Sequence, residues 1–145
     1  MEKQMSNVTR RDFVKSASAV TAAVTLPAWA ITENRSPIKI GFIGCGGRGT
    51  GAANQALQAN DNSVIWAMGD AFEDRLTSSM NTLIGEKGDR AEVPKDRQFV
   101  GFDAYQKVID SGVDMVILTT PPHFRPEHIA AAVKAKKHVF CEKPM

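Results

Sequence analysis

The chain has 145 residues and a formal net charge of +2, from 18 basic and 16 acidic side chains. Four of the basic and two of the acidic residues fall within residues 1–30, which leaves 14 of each sign in residues 31–145. That balance, without a basic stripe, excludes nucleic acid and anionic membrane as electrostatically recruited partners, and no apolar run reaches the roughly 20 residues of a membrane span.

The first element in chain order is a targeting segment. "TRRDFVK", residues 9–15, carries paired arginines followed by a phenylalanine, an apolar residue and a lysine. Behind it, "SASAVTAAVTL" (16–26) is mildly apolar and too short to span a membrane, and "AWA" (28–30) suits a signal peptidase. This order resembles a twin-arginine export signal. Residues 1–30 are therefore read as a signal peptide and 31–36 as a polar linker. The export machinery is the expected partner, and the periplasm or the extracellular space of a bacterium the expected destination.

From residue 37 the periods alternate between strand and helix. "IKIGFI" (38–43) is β-branched and aromatic enough for a buried strand, and Gly44, Gly46 and Gly49 follow it as G-x-G-x-x-G. "TGAANQALQAN" (50–60) predicts a helix, with Ala52, Ala53, Ala56 and Leu57 near helical spacing. "SVIWAMGD" (63–70) predicts a second strand closing on Asp70. Residues 72–84 predict a helix with Phe72, Leu76, Met80 and Leu83 on one face. The charged stretch 85–97 reads as a surface loop. "QFVG" (98–101) is a short third strand at best, and 102–110 predicts a helix stopped by Gly112.

The continuous apolar run "VDMVILTT" (113–120) is of the kind buried on both faces. Pro121 and Pro122 turn the chain into a helix to residue 137, with Pro126 suited to its first turn. "HVFCEKPM" (138–145) predicts a fifth strand. Five strands alternating with four helices through right-handed crossovers give a Rossmann-type α/β fold, a doubly wound parallel sheet of order 3-2-1-4-5. Such a sheet ending at its fifth strand leaves a bare edge. Residues 37–145 are thus expected to be the N-terminal domain, incomplete at its C-terminus, of a longer protein. Cys45 and Cys141 fall at the ends of separate strands and are expected to be free, partly buried thiols.

The glycines define the chemistry. In a strand-turn-helix nucleotide site the first permits the tight turn, the second lets a diphosphate approach the backbone, and the third lets helix and strand pack closely. Gly44, Gly46 and Gly49 take those roles in order, with Gly47 in the same turn and Arg48 available as an added contact. Asp70 stands 21 residues beyond Gly49, where a carboxylate accepts from adenosine ribose hydroxyls and repels a 2′-phosphate. That favours NAD over NADP, with Arg75 nearby able to soften the preference; the alternative is that Asp70 only caps the next helix. A P-loop is excluded because Thr50 and Gly51, not lysine, follow Gly49. A methyltransferase site would want glycine where Arg48 stands.

"TTPP" at 119–122, His128 on the following helix, and Glu142, Lys143 and Pro144 after the fifth strand form an ordered set. With the glycine turn and Asp70, they resemble the oxidoreductase family of glucose-fructose oxidoreductase and inositol dehydrogenases (Gfo/Idh/MocA), in its secreted bacterial branch. The resemblance implies a second α/β domain that takes part in substrate binding and in homo-oligomer contacts. It also implies hydride transfer between a sugar, polyol or related hydroxy compound and nicotinamide, with Lys143 as the catalytic residue orienting the hydroxyl and assisting its proton transfer. Thr119, Thr120 and Pro121 would line the path of the nicotinamide ribose, and Glu142 would help hold the cofactor.

His128 reads as structural, and His123 and His138 have no second ligand at a metal spacing, so no metal is expected. Trp66 and the phenylalanines read as packing. Two alternatives stand beside the dehydrogenase: an NAD-dependent glycosidase acting by transient oxidation and elimination, and a non-catalytic nucleotide-binding protein. By itself the 145-residue piece is expected to bind nucleotide weakly and turn over nothing.

Overall fold

The computed structural model describes residues 36–143. The export signal, its cleavage point after Ala30, residues 31–35 of the linker, and Pro144 lie outside the described residues. The elements are β1 (Ile38–Ile43), α1 (Gly47–Ala59), β2 (Ser63–Asp70), α2 (Glu73–Lys87), β3 (Gln98–Val100), α3 (Ala104–Asp110), β4 (Met115–Leu118), α4 (Arg125–Lys134) and β5 (His138–Cys141). Their strands form one five-stranded sheet of order β3-β2-β1-β4-β5 with every neighbouring pair parallel.

The apolar strands are explained by helices on both faces. Ile40, Phe42, Ile65 and Met68 point to one face and pack with Leu57 of α1 and Leu76 and Leu83 of α2. Ile43, Ala67, Val116 and Leu118 point to the other and pack with Val108 and Ile109 of α3 and Ala132 of α4. Alternation along each strand sends neighbours to opposite layers, so a sheet buried twice needs apolar residues at both parities. Val108 lies over Gly41 and Gly69, where a Cβ would stand 2.6 and 2.9 Å from its methyls.

Several boundaries differ from the pattern-based expectation for identifiable reasons. α1 begins at Gly47, not Thr50, because Thr50 N–H already donates to Gly46 O at 2.8 Å and the glycine run itself turns helically. β5 closes at Cys141, so Glu142 and Lys143 lie beyond the strand. The stretch 85–97 is not a plain surface loop. It continues α2 to Lys87, then makes short 3-10 turns at Gly88–Ala91 and Lys95–Arg97, and it buries Ala91 and Val93 against Ile65 and Leu83. Its polar composition concealed two apolar anchors, held in place where Arg90 Nη1 donates to Leu57 O at 2.9 Å and the Gln98 amide to Val93 O at 2.6 Å.

Gly112 adopts φ +86° and ends α3 as its position implied. A register shift between Ile40 and Gly41 sets Trp66 out of the ladder. Its Nε1 donates to Ser111 O at 2.8 Å, and Arg97 and Lys39 lie 3.5 and 4.1 Å from its ring centroid, so this residue is packing, as expected. Cys45 is buried and Cys141 half-buried, both free thiols. Among the described residues no helix is long and apolar enough to cross a membrane.

Candidate functional site

In an open parallel sheet, ligands bind outside the carboxyl ends of the strands where the strand order reverses. Here that point lies between β1 and β4. β1 ends in the glycine turn. Gly44 has φ +94°, and a Cβ on it would lie 2.8 Å from Thr120 N and 2.9 Å from the Thr119 carbonyl carbon, so only glycine lets the two strand ends meet. Gly44 N–H donates to Gly69 O at 2.9 Å, and Thr119 Oγ1 donates to Gly44 O at 2.6 Å. At Gly49 a Cβ would fall 2.1 Å from Gly44 O and 2.5 Å from Thr119 Oγ1, which seats the start of α1 directly on the turn.

α1 has no side-chain cap at Gly46 and no acidic residue in its first turn. A Cβ on Gly46 would meet only Arg75 Nη1, at 3.7 Å, and one on Gly47 would meet nothing within 4 Å. A helix start with open space over its first N–H groups and no carboxylate of its own fits a diphosphate, whose charge the helix dipole favours. The cradle therefore suits a dinucleotide.

Asp70 closes β2 with its carboxylate turned to this cradle. Oδ2 accepts from Cys45 N–H at 2.6 Å and Oδ1 from Phe72 N–H at 3.0 Å. The Oδ1 bond is a local turn contact and not a helix cap: the N-cap of α2 is Phe72, and the helix has no side-chain cap hydrogen bond. A carboxylate offers about four lone-pair sites, so the two bonds leave acceptor capacity for ribose hydroxyls. Arg75, on the first turns of α2, lines the same cleft.

The cleft measures about 440 Å³ and is walled by Gly44, Gly46, Asp70, Thr119, Thr120 and Pro121 on the turn side. Its other wall is aromatic: Phe72, Phe102, Tyr105 and Phe124. Phe72 is 58% and Phe102 74% exposed, so these two do not pack in the core as the sequence suggested. Each sits past the end of its strand, where no element covers it. His128 is buried beneath this wall, stacked 4.2 Å from Tyr105 with Nδ1 3.2 Å from Thr120 Oγ1. Burial lowers its pKa, against a smaller opposing pull from Glu127. Its ring braces the β4 turn and also borders the cleft.

On the far side of β4 lie the residues that follow β5. Arg48 forms an ion pair with Glu142, and that hydrogen bond from Arg48 holds the Glu142 carboxyl below the usual carboxylate range. Arg125, only 6% exposed, donates through Nε to Thr120 O at 2.7 Å and through Nη1 to Glu142 O. Pattern reading missed Arg125; the available signal was an arginine opening a helix after a Pro-Pro turn, next to two strand ends with carbonyls to satisfy. Lys143 is exposed immediately beyond Glu142 and is not among the residues lining the cleft.

Cys45 donates from Sγ to Gly69 O at 3.6 Å, and burial pushes its thiol pKa up, so the thiolate is suppressed. Among the described residues no three His, Cys, Asp or Glu side chains form a metal-binding group.

Comparison with known proteins bears on this geometry. Residues 38–145 match the Gfo/Idh/MocA family model, described as an oxidoreductase family with an NAD-binding Rossmann fold. Residues 7–27 match the twin-arginine translocation pathway signal sequence, which directs a protein out of the cytoplasm. Over 108 residues the chain is 34% identical to myo-inositol 2-dehydrogenase of Thermotoga maritima, covering 74% of this chain and 28% of that one. Over 164 aligned positions it is 24% identical to alpha-N-acetylgalactosaminidase of Shewanella oneidensis, covering 97% and 34%.

Among solved structures, scyllo-inositol dehydrogenase from Lactobacillus casei with bound NAD(H) and scyllo-inositol gives a TM-score of 0.58 at 26% identity, covering 74% of this chain and 28% of that one. The 3-ketoreductase KijD10 from Actinomadura kijaniata in complex with NADP and TDP-benzene gives 0.52 at 28%, covering 74% and 29%. The chain therefore spans about a third or less of the length of its curated relatives. It belongs to the Gfo/Idh/MocA oxidoreductase family, whose nicotinamide-nucleotide-binding Rossmann fold it carries behind a twin-arginine export signal.

Proposed function

We propose that this chain is the cofactor-binding half of an exported NAD-dependent oxidoreductase acting on a sugar, polyol or related hydroxy compound. The observation that carries the reading is the cradle at the β1–β4 crevice: an uncapped helix start seated on Gly44 and Gly49, with the Asp70 carboxylate anchored beside it. A nicotinamide dinucleotide, when bound, supplies the hydride acceptor or donor. The chain's own residues position it: the first N–H groups of α1, with Gly46, Gly47 and Arg48, take the diphosphate, Asp70 takes the adenosine ribose, and Thr119, Thr120 and Pro121 border the nicotinamide ribose. Glu142 helps to hold that end.

NAD is preferred to NADP in this reading. The Asp70 carboxylate would repel a 2′-phosphate, Glu73 and Asp74 add negative charge to the first turn of α2, and Arg75 is the counter-charge in the same cleft. Lys143 orients the substrate hydroxyl and moves its proton as the C–H hydride passes to or from the nicotinamide. Residues 37–145 form the nucleotide domain. The substrate domain, through which copies associate, belongs to the part of the relatives' length that this chain does not span. Cleavage after Ala30 releases the mature protein outside the cytoplasm.

A second reading has one specific support, the alignment with alpha-N-acetylgalactosaminidase over 97% of the chain. In a redox-neutral glycosidase, oxidation of a sugar hydroxyl by the nicotinamide would acidify the adjacent C–H, elimination would expel the aglycone, water would add across the resulting double bond, and the hydride would return to the carbonyl. One assay separates the two: the whole exported protein, substrate domain included, is given NAD and free polyols and sugars, then nitrophenyl glycosides. Net NADH with free substrates supports the dehydrogenase. Aglycone release without net NADH supports the glycosidase, and neither signal across both panels refutes the catalytic reading.

A further inference from the structure

A charged contact spans the carboxyl end of β4, beside the nucleotide crevice. Arg48 is the second residue of α1, which follows β1, and Glu142 follows β5, with β4 lying between those two strands. Their ion pair thus reaches past the end of β4, where Thr119 and Thr120 border the cleft. Its two ends differ. The Arg48 side chain is 57% exposed and the Glu142 side chain 11%. The Glu142 backbone is fixed, since its N–H donates to Leu118 O at 3.1 Å and its carbonyl accepts from the buried Arg125. Only the Glu142 carboxylate and the Arg48 arm are left to rearrange.

Arg48 sits on the helix start that suits a diphosphate, and a guanidinium binds phosphate oxygens in the same forked geometry as a carboxylate. Glu142 and an incoming diphosphate therefore compete for one cation. We propose that the Arg48–Glu142 pair is a strap that the nucleotide exchanges: Arg48 turns from Glu142 to the diphosphate, and the freed Glu142 carboxylate becomes available to the nicotinamide end beside Lys143. The inference rests on the nicotinamide-nucleotide reading of the crevice. It makes Arg48 a diphosphate contact held in reserve, and Glu142 a residue whose availability is tied to occupancy of the cradle.

The test is calorimetric titration of adenosine, ADP and NAD into the mature protein and its E142Q and R48A/E142Q variants at low ionic strength, after thermal unfolding shows each to be folded. ADP carries the diphosphate without the nicotinamide ribose, and adenosine carries neither. E142Q is expected to bind ADP about two- to fivefold more tightly than wild type, the range of an exposed ion pair, with adenosine unchanged. R48A/E142Q is expected to lose that gain and fall below E142Q for ADP. Should E142Q not fold, Glu142→Asp keeps the charge while shortening its reach, and the same tightening is expected.

ADP affinity that is unchanged or weaker in E142Q overturns the strap, as does R48A/E142Q binding ADP as tightly as E142Q. Wild-type protein that binds neither ADP nor NAD overturns the cofactor reading itself, and the strap with it.

Discussion

Replacing Gly49 by alanine tests the seat of α1 on the glycine turn. The added Cβ would lie 2.1 Å from Gly44 O, 2.5 Å from Thr119 Oγ1 and 2.8 Å from Phe42 Cε2, all inside the 3.0 Å that real Cβ contacts respect. Clearing the carbonyl alone requires a displacement of 0.9 Å, the difference between 3.0 and 2.1 Å. None of the neighbours yields cheaply: Gly44 O is backbone already bound by Thr119 Oγ1 at 2.6 Å, and Phe42 is wholly buried in the core. The start of α1 must lift instead. Alanine gains about 0.8–1 kcal/mol of helix propensity over glycine, while overpacking costs about 1–3 kcal/mol, so the expected net loss is about 0–2 kcal/mol.

Nucleotide binding suffers more, because the diphosphate cradle moves with the helix; a shift approaching an ångström is expected to weaken NAD binding on the order of tenfold. Urea unfolding and NAD titration on the same preparation read both numbers. Gly51→Ala is the internal control. It lies in the same helix with nothing within 4 Å of its added Cβ, so it should gain about 0.4–1 kcal/mol and keep NAD affinity. Equal stabilisation by the two substitutions would refute the packing argument.

Other outcomes follow from the same geometry. Asp70→Ala removes the acceptor for Cys45 and Phe72 N–H, so it should weaken NAD and NADP together while narrowing the gap between them; titration of both cofactors checks this, and unchanged affinity for each would show that the ribose and the turn are held by something else. Lys143→Ala in the full protein, with its substrate domain, should leave NAD affinity within about threefold and depress turnover by on the order of a hundredfold or more, with undiminished turnover removing the assignment. Arg125→Ala leaves the Thr120 carbonyl without its donor and the Glu142 carbonyl with only the weak contact from Cys141 Sγ at 3.6 Å, and should cost about 1–3 kcal/mol in urea unfolding, with Arg125→Lys recovering only part of it. N-terminal sequencing of the exported protein should begin at Ile31, and an intact Met1 in that fraction would contradict cleavage after Ala30.

Much of this fold was legible along the chain because its causes are local or periodic. A sheet buried on both faces requires continuous apolar runs, and these run from Ile40 to Ile43, Val64 to Gly69 and Met115 to Leu118. The glycine spacing is a local pattern too, although the crowding that demands Gly44 and Gly49 comes in part from Thr119 and Thr120 at the end of β4. Charge-rich composition misled at 85–97, where Ala91 and Val93 alone carry the burial. Phenylalanine composition misled at Phe72 and Phe102, because hydrophobicity does not say whether any element will cover a residue just past a strand end.

The amino-acid order by itself therefore determined the alternation of strands and helices, the strand sequence of the sheet, the glycine cradle and the placing of Asp70 at the end of β2. Only the tertiary structure decided which distant groups meet there: Asp70 with Cys45 N–H across 25 residues, Arg48 with Glu142 across 94, and Arg125 with the carbonyl of Glu142 across 17. The physical reason is that each of these contacts joins the ends of different strands. Such ends become neighbours only once the order β3-β2-β1-β4-β5 has set them side by side, and no periodicity within a single segment encodes that meeting.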